Sequence, residues 1–284
     1  MSRIEKALEK AVEMRESVKE VIPEQTVTAH HVDRSLPKFE GGESLVNPDA
    51  VDKRIVCITD PQSYTTEQYK KLRARILQAT AKDSLNTIMV TSPEMGEGKT
   101  VTAINLAVAI ANEIDHTVLL VDADFKHPSI LKYLGIESKY GLSDFLTGRV
   151  ELSDILIKTG IGKLVVLPAG NSPENAAELL SSEKMKGLVH ELKHRYRDRY
   201  IIFDSSPVLL ASDTLPVSSH MDGIVLVIQA ARTTPKSASH AVSLIKGSNI
   251  LGIVFNNVPR DIAKNLYPSY YLYGSEGYHR KSKS

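Results

Sequence analysis

Lys99 and Thr100 close the run Ser92-Pro93-Glu94-Met95-Gly96-Glu97-Gly98-Lys99-Thr100, whose residue types suit a phosphate chain. Gly96 and Gly98 let the backbone turn its N–H groups toward phosphate oxygens. Lys99 offers a point charge to β- and γ-phosphates, and the Thr100 hydroxyl is a Mg²⁺ ligand. The run follows a short β-branched segment, 87–91, and opens a predicted helix from Lys99 to Glu113. Strand, loop and helix in that order are the context a phosphate-binding loop requires, and the helix N-terminus adds the positive end of its dipole. The match to G-x-x-x-x-G-K-[ST] is incomplete, because Pro93 takes the place of the first glycine. The candidate nucleotide contacts are Glu94, Met95, Gly96, Glu97, Gly98, Lys99, Thr100 and Val101. As a cation on an exposed loop, Lys99 would add little to packing.

Acidic strand ends supply the second half of the chemistry. The run 118–121 leads into Asp122-Ala123-Asp124, and the run 200–203 leads into Asp204-Ser205-Ser206-Pro207. In a parallel sheet the carboxyl ends of the strands converge on the ligand crevice. Carboxylates there can hold Mg²⁺ directly or through its waters. Asp204 and Asp122 are therefore candidate metal ligands beside Thr100, with Asp204 in the Walker B position. The plainer alternative is that such an aspartate only caps the helix that follows.

These groups need a scaffold that brings strand ends together. Apolar strands are predicted at 87–91, 117–122, 163–167, 200–204, 223–228 and 250–256, with helical segments between most of them. Continuous apolar strands separated by helices imply an α/β fold, a doubly wound, mostly parallel sheet with helices on both faces. The predicted organisation is an amphipathic helix at 1–20, a linker at 21–54, one domain at 55–260 and a tail at 261–284. In the first segment Ile4, Ala7, Leu8, Ala11, Val12 and Val18 share one side, which fits either packing on the domain or docking into a partner's groove.

At these residues the sequence resembles the bacterial tyrosine kinases of capsular and exopolysaccharide systems, phosphate-loop proteins of the deviant Walker A type. The resemblance covers roughly residues 55–280. It rests on Gly96-Glu97-Gly98-Lys99-Thr100, on Asp122-Ala123-Asp124 with Lys126 and Pro128, on Asp204-Ser205-Ser206-Pro207, and on a tyrosine-rich C-terminus. The start, Ser2 to Lys10, is similar to autokinases of exopolysaccharide and exosortase loci. The resemblance implies an ATP- and Mg²⁺-dependent protein-tyrosine autokinase, with Lys99, Asp122, Asp124 and Asp204 as catalytic residues. Asp122 would orient or deprotonate the tyrosine hydroxyl, and Asp124 would support the metal's water shell. Asn256 and Asn257, ending the last strand, are candidates for base contacts. In the family a helix with Glu-x-x-Arg-x-x-Arg builds a ring-shaped homo-oligomer; here it reads Glu67, Lys70, Arg73. Lys70 and Lys126 stand where the family often has arginine, and they keep the charge while losing bidentate geometry. The implied partners are other copies of the chain, a cytosolic segment of a membrane chain-length regulator, and a tyrosine phosphatase.

The chain has 11 tyrosines, and five of them, Tyr267, Tyr270, Tyr271, Tyr273 and Tyr278, fall within the final 18 residues. With Pro268, Gly274 and Gly277 among them, the segment reads as flexible. A tail of this length has a root-mean-square reach of roughly 30 Å, enough to serve its own site or a neighbour's. The five tyrosines are the expected autophosphorylation sites.

Composition narrows the rest. A net charge of +1 over 284 residues gives no bulk electrostatic case for nucleic acid. The single cysteine, Cys57, precludes an internal disulfide, and a reducing, cytoplasmic setting follows. Membrane association would run through a partner. Two other functions share these motifs: a partitioning or division ATPase, and a nucleotide-binding regulator without catalysis. The first typically carries a lysine five residues before the loop lysine, where this chain has Glu94.

Overall fold

Runs of β-branched residues and leucine without polar alternation build the centre of the molecule, as expected of strands covered on both faces. The computed structural model describes residues 46–81, 85–195, 198–210 and 214–259. The expected N-terminal helix, most of the expected linker and the tyrosine cluster lie outside the described residues. Helices α1 (Val56–Thr59) and α2 (Tyr64–Thr80) precede β1 (Thr87–Thr91) and α3 (Lys99–Ala111). Then follow β2 (Thr117–Ala123), α4 (Ile130–Leu134), α5 (Leu142–Leu146), β3 (Ile157–Lys158) and β4 (Leu164–Leu167). The described chain ends with α6 (Ala176–Leu180), α7 (Glu183–Arg195), β5 (Arg199–Ser205), α8 (Thr214–Ser218), β6 (Gly223–Gln229), α9 (Pro235–Leu244) and β7 (Ile250–Asn256).

Among the described residues seven strands form one sheet in the order β3-β4-β2-β5-β1-β6-β7. Every pairing in it is parallel except that of β3 with β4. Alternate strand residues feed two cores. Ile88, Val90, Leu120 and Ile202 pack with α1 to α4 on one face, and Met89, Leu119, Val121 and Phe203 pack with α5 to α9 on the other. The doubly wound prediction holds. The two-residue β3 is too short to leave a periodic signal.

The expected linker needs a correction at its end. Val46 and Val51 are buried in the first core. The Asp52 N–H donates to the Tyr133 carbonyl at 2.9 Å. Asn105, buried inside α3, accepts from the Cys57 N–H at 2.9 Å and donates to the Arg54 carbonyl at 3.0 Å. Residues 46–54 are thus part of the domain. Two valines among prolines and charges carry no periodicity, so nothing local marks them as core.

The amino ends of the strands, opposite the phosphate loop, are held by one carboxylate. Asp222 accepts from the N–H groups of Asn86 at 3.0 Å and Thr87 at 3.1 Å, and from the Thr87 hydroxyl at 2.8 Å. It also pairs with Lys193. Burial alone would raise its pKa, but the Lys193 bond, the Thr87 hydroxyl and the two N–H groups hold it below the ordinary carboxylate range. Replacing Asp222 by Ala leaves strand-end donors without a partner, so urea denaturation is expected to show a loss of about 2–3 kcal/mol. A group with a depressed folded pKa stabilises above its unfolded pKa, so the gap between variant and wild type should close as the pH falls below about 4.

Candidate active site

β2, β5 and β1 lie side by side in the sheet, so their carboxyl ends deliver Asp122, Asp204 and the phosphate loop to one place. Asp122 and Asp204 are direct register partners across β2 and β5, and Asp204 also pairs with Val90 of β1. Gly96 and Gly98 have φ of +77° and +91°, as a loop that turns its amides inward needs. Past β5, the Val208 N–H donates to the Ser92 carbonyl at 2.8 Å, which ties the segment after Asp204 to the start of the loop.

Lys99 is not the exposed cation the sequence suggested. It is 9% exposed, with Nζ 2.7 Å from Asp124 Oδ2, 3.6 Å from Asp204 Oδ1 and 3.2 Å from the Thr100 hydroxyl. That hydroxyl donates to Asp204 Oδ2 at 2.6 Å. Asp124 Oδ1 accepts from the Ser206 hydroxyl at 2.8 Å and from the His127 N–H at 3.2 Å. Asp122 Oδ2 accepts from the N–H groups of Ser129 at 3.0 Å and Ile130 at 3.1 Å, and Oδ1 accepts from the Asp124 N–H at 3.3 Å. Asp122 therefore does cap the start of α4, as the plainer alternative had it, and it does so inside the site.

Burial and the neighbouring Asp204 push the Asp122 carboxyl up to about 7, against the pull of its N–H donors and Lys99. Burial raises Asp204 as well. Asp124 goes the other way: burial is outweighed by the charge and hydrogen bond of Lys99 and by Ser206. Burial would lower Lys99, but Asp204 and Asp124 hold its pKa up. Three buried carboxylates thus share one buried ammonium, and Asp204 Oδ1 is a buried oxygen without a hydrogen-bond partner among the described residues. A hard dication suits both the missing charge and that oxygen, which lies on the same carboxylate that Thr100 bonds. Thr100 and Asp204 fit as its holders.

Of the nucleotide contacts expected from sequence, Glu94 to Val101 all lie on the loop and the start of α3. Asn256 reaches the same place but serves the loop itself, its Nδ2 donating to the Glu97 carbonyl at 2.9 Å. Thr233 and Ser237 were missed, since lone hydroxyl residues carry no signal until the fold sets them beside Glu97 and Glu94, and Ser206 stood in the Asp204 run but was given no role, though it bonds Asp124. The residues expected at an oligomer contact divide. Glu67 and Lys70 form an exposed ion pair at 2.6 Å. Arg73 is committed within the chain, to the Ala109 carbonyl at 3.1 Å and to Glu113 at 2.6 Å.

A parallel α/β sheet with a glycine-turned loop, a buried lysine and acids on adjacent strand ends defines a phosphate-loop nucleotide-binding protein. Residues 88–273 match the family model described as the CobQ/CobB/MinD/ParA nucleotide binding domain. The chain is 33% identical to the tyrosine-protein kinase YwqD of Bacillus subtilis over 223 residues, 78% of this chain and 92% of that protein. It is 31% identical to the tyrosine-protein kinase CpsD of Streptococcus agalactiae, over 78% of this chain and 95% of that one. Among solved structures, the kinase domain of the Escherichia coli tyrosine kinase ETK superposes with a TM-score of 0.68 at 28% identity, covering 72% of this chain and 80% of that one. The chain belongs to the bacterial tyrosine kinases built on this nucleotide-binding domain.

The charge imbalance has a measurable consequence. Asp204→Asn relieves the nucleotide-free protein of a buried charge and is expected to raise its melting temperature by about 2–4 °C, equivalent to about 1 kcal/mol. Lys99→Met leaves the carboxylates without their cation and should lower it by a comparable or larger amount. Differential scanning calorimetry of both variants checks the sign of each shift.

Proposed function

We propose that this chain transfers the γ-phosphate of ATP, with Mg²⁺, to the tyrosines of its own C-terminal tail, and that this regulates polymerisation or export of an exopolysaccharide. The observation that carries the reading is where the chain leaves the domain. Asn256, the last residue of β7, bonds to the phosphate loop, and Tyr267, Tyr270, Tyr271, Tyr273 and Tyr278 follow it within 22 residues of sequence.

The geometry supports the following roles. The loop amides and Lys99 hold the phosphates, and Lys99 would exchange part of its bonding to Asp124 for phosphate oxygens. Thr100 and Asp204 would hold the magnesium ion, which when bound supplies positive charge to the phosphates. Asp124, fixed by Ser206 and the His127 N–H, keeps Lys99 aimed at the loop. Asp122 is the group to orient the tyrosine hydroxyl. A carboxyl pushed up to about 7 shares a proton with a phenol more readily than an ordinary aspartate does. Phosphoryl transfer needs chiefly this alignment and neutralisation.

Self-association through Glu67 and Lys70, which are exposed on α2, is part of the same reading. So are activation by the cytosolic segment of a membrane chain-length regulator and reversal by a tyrosine phosphatase. No helix among the described residues is long and apolar enough to cross a membrane. Attachment at the inner face of the membrane would then run through that partner.

Incubating the purified chain with labelled ATP and mapping phosphotyrosine by mass spectrometry tests the reading. Label is expected on the tail tyrosines. It should vanish in Lys99→Met and in a variant with all five tyrosines changed to Phe. Magnesium titration should separate the acids: Asp204→Asn shifts the metal requirement upward, while Asp122→Asn keeps nucleotide affinity and loses rate. Undiminished label in Lys99→Met would refute the assignment of this site.

A further inference from the structure

The phosphate loop does not stand alone, and the groups that hold it come from the far half of the sheet. Glu97 is 1% exposed, and its carboxylate is held by neutral donors. One of its oxygens accepts from the Thr233 hydroxyl, and the other accepts from the Glu94 N–H at 2.8 Å. The Thr233 hydroxyl in turn accepts from the Gln229 N–H at 2.8 Å, at the end of β6. A second strap runs alongside: the Ser237 hydroxyl donates to Glu94 Oε1 at 2.8 Å, and the Ser237 N–H donates to the capping hydroxyl of Thr234 at 3.0 Å. Asn256 holds the Glu97 carbonyl, and Arg232 reaches the Gly96 carbonyl at 3.3 Å.

We propose that the turn after β6 and the first turn of α9 form a clasp that sets the shape of the phosphate loop, with Thr233 and Ser237 as its positioning residues. The proposal rests on the reading of this loop as the nucleotide site. Glu97 lies between Gly96 and Gly98, the two residues whose left-handed backbone turns the loop amides. Where the Glu97 carboxylate is held therefore decides where those amides point. A buried carboxylate held by neutral groups depends on each of them, so the loss of the Thr233 hydroxyl leaves it seeking another partner and lets the loop relax. Neither Thr233 nor Ser237 bonds to the carboxylates around Lys99. Their loss should change how well the loop receives phosphates and leave the chemistry of the bound complex alone.

Isothermal titration of Mg-ADP into the full chain, together with kcat for tail phosphorylation at saturating ATP, tests this. Thr233→Val is expected to raise Kd roughly tenfold, about 1.4 kcal/mol, while kcat stays within about twofold. Thr233→Ser should restore the wild-type Kd, a result that general damage to packing would not give. Ser237→Ala should raise Kd by a smaller factor, and it carries the test should Thr233→Val not fold. Unchanged Kd in both hydroxyl-deleting variants, or a fall in kcat at unchanged Kd, would overturn the clasp. If Lys99→Met loses Mg-ADP while those variants bind it normally, the nucleotide site stands and the clasp alone fails. Wild-type protein that does not bind Mg-ADP would overturn both.

Discussion

One buried ammonium among three buried carboxylates is the constraint on which the rest of the site depends. Lys99 lies against Asp124 and near Asp204, and Asp204 is the register partner of Asp122. Like charges this close raise one another's pKa, and burial adds to the effect. The arrangement is tolerable because the sheet over-determines it: each acid ends a strand whose apolar residues are locked between two cores. The stability of the sheet is what keeps an electrostatically unfavourable cluster in place.

Glu94 gains a meaning from the same constraint. Glu94 stands at the position where the sequence reading expects a lysine in a partitioning or division ATPase. Here Glu94 instead takes the Ser237 hydroxyl of its own chain and belongs to the bracing around the loop. The loop is braced by Thr233, Ser237 and Asn256 of the same chain.

Most of the scaffold was legible in the sequence because fully buried parallel strands are written as unbroken apolar runs. The segments 87–91 and 250–256 coincide with β1 and β7, and the other main strands differ from expectation by a residue or two. Lys99, Thr100, Asp122, Asp124 and Asp204 were legible because strand ends converge in such a sheet. What was not legible depends on three-dimensional neighbours. Lys99 looked like an exposed loop cation, since nothing local reveals that two strand-end acids fold over it. Asn256 looked like a base contact, and its bond to the Glu97 carbonyl depends on a strand end brought to the loop from 159 residues away. Arg73 looked available to another subunit, but the C-terminal end of α3 takes it. Val46 and Val51 looked like linker, because two isolated valines have no period.

In the proposed reading the acids around Lys99 receive a metal–nucleotide complex, and Asp204 is where the metal would be held. The most direct measurement is the melting temperature of the wild-type chain with ADP and excess chelator, with Mg²⁺ alone, and with both ADP and Mg²⁺, repeated on Asp204→Asn. A clear rise is predicted for wild type only when nucleotide and metal are present together, and in Asp204→Asn a rise that needs a higher Mg²⁺ concentration than wild type does. An equal rise in wild type with ADP and chelator, or the same Mg²⁺ requirement in Asp204→Asn as in wild type, would contradict this role for Asp204.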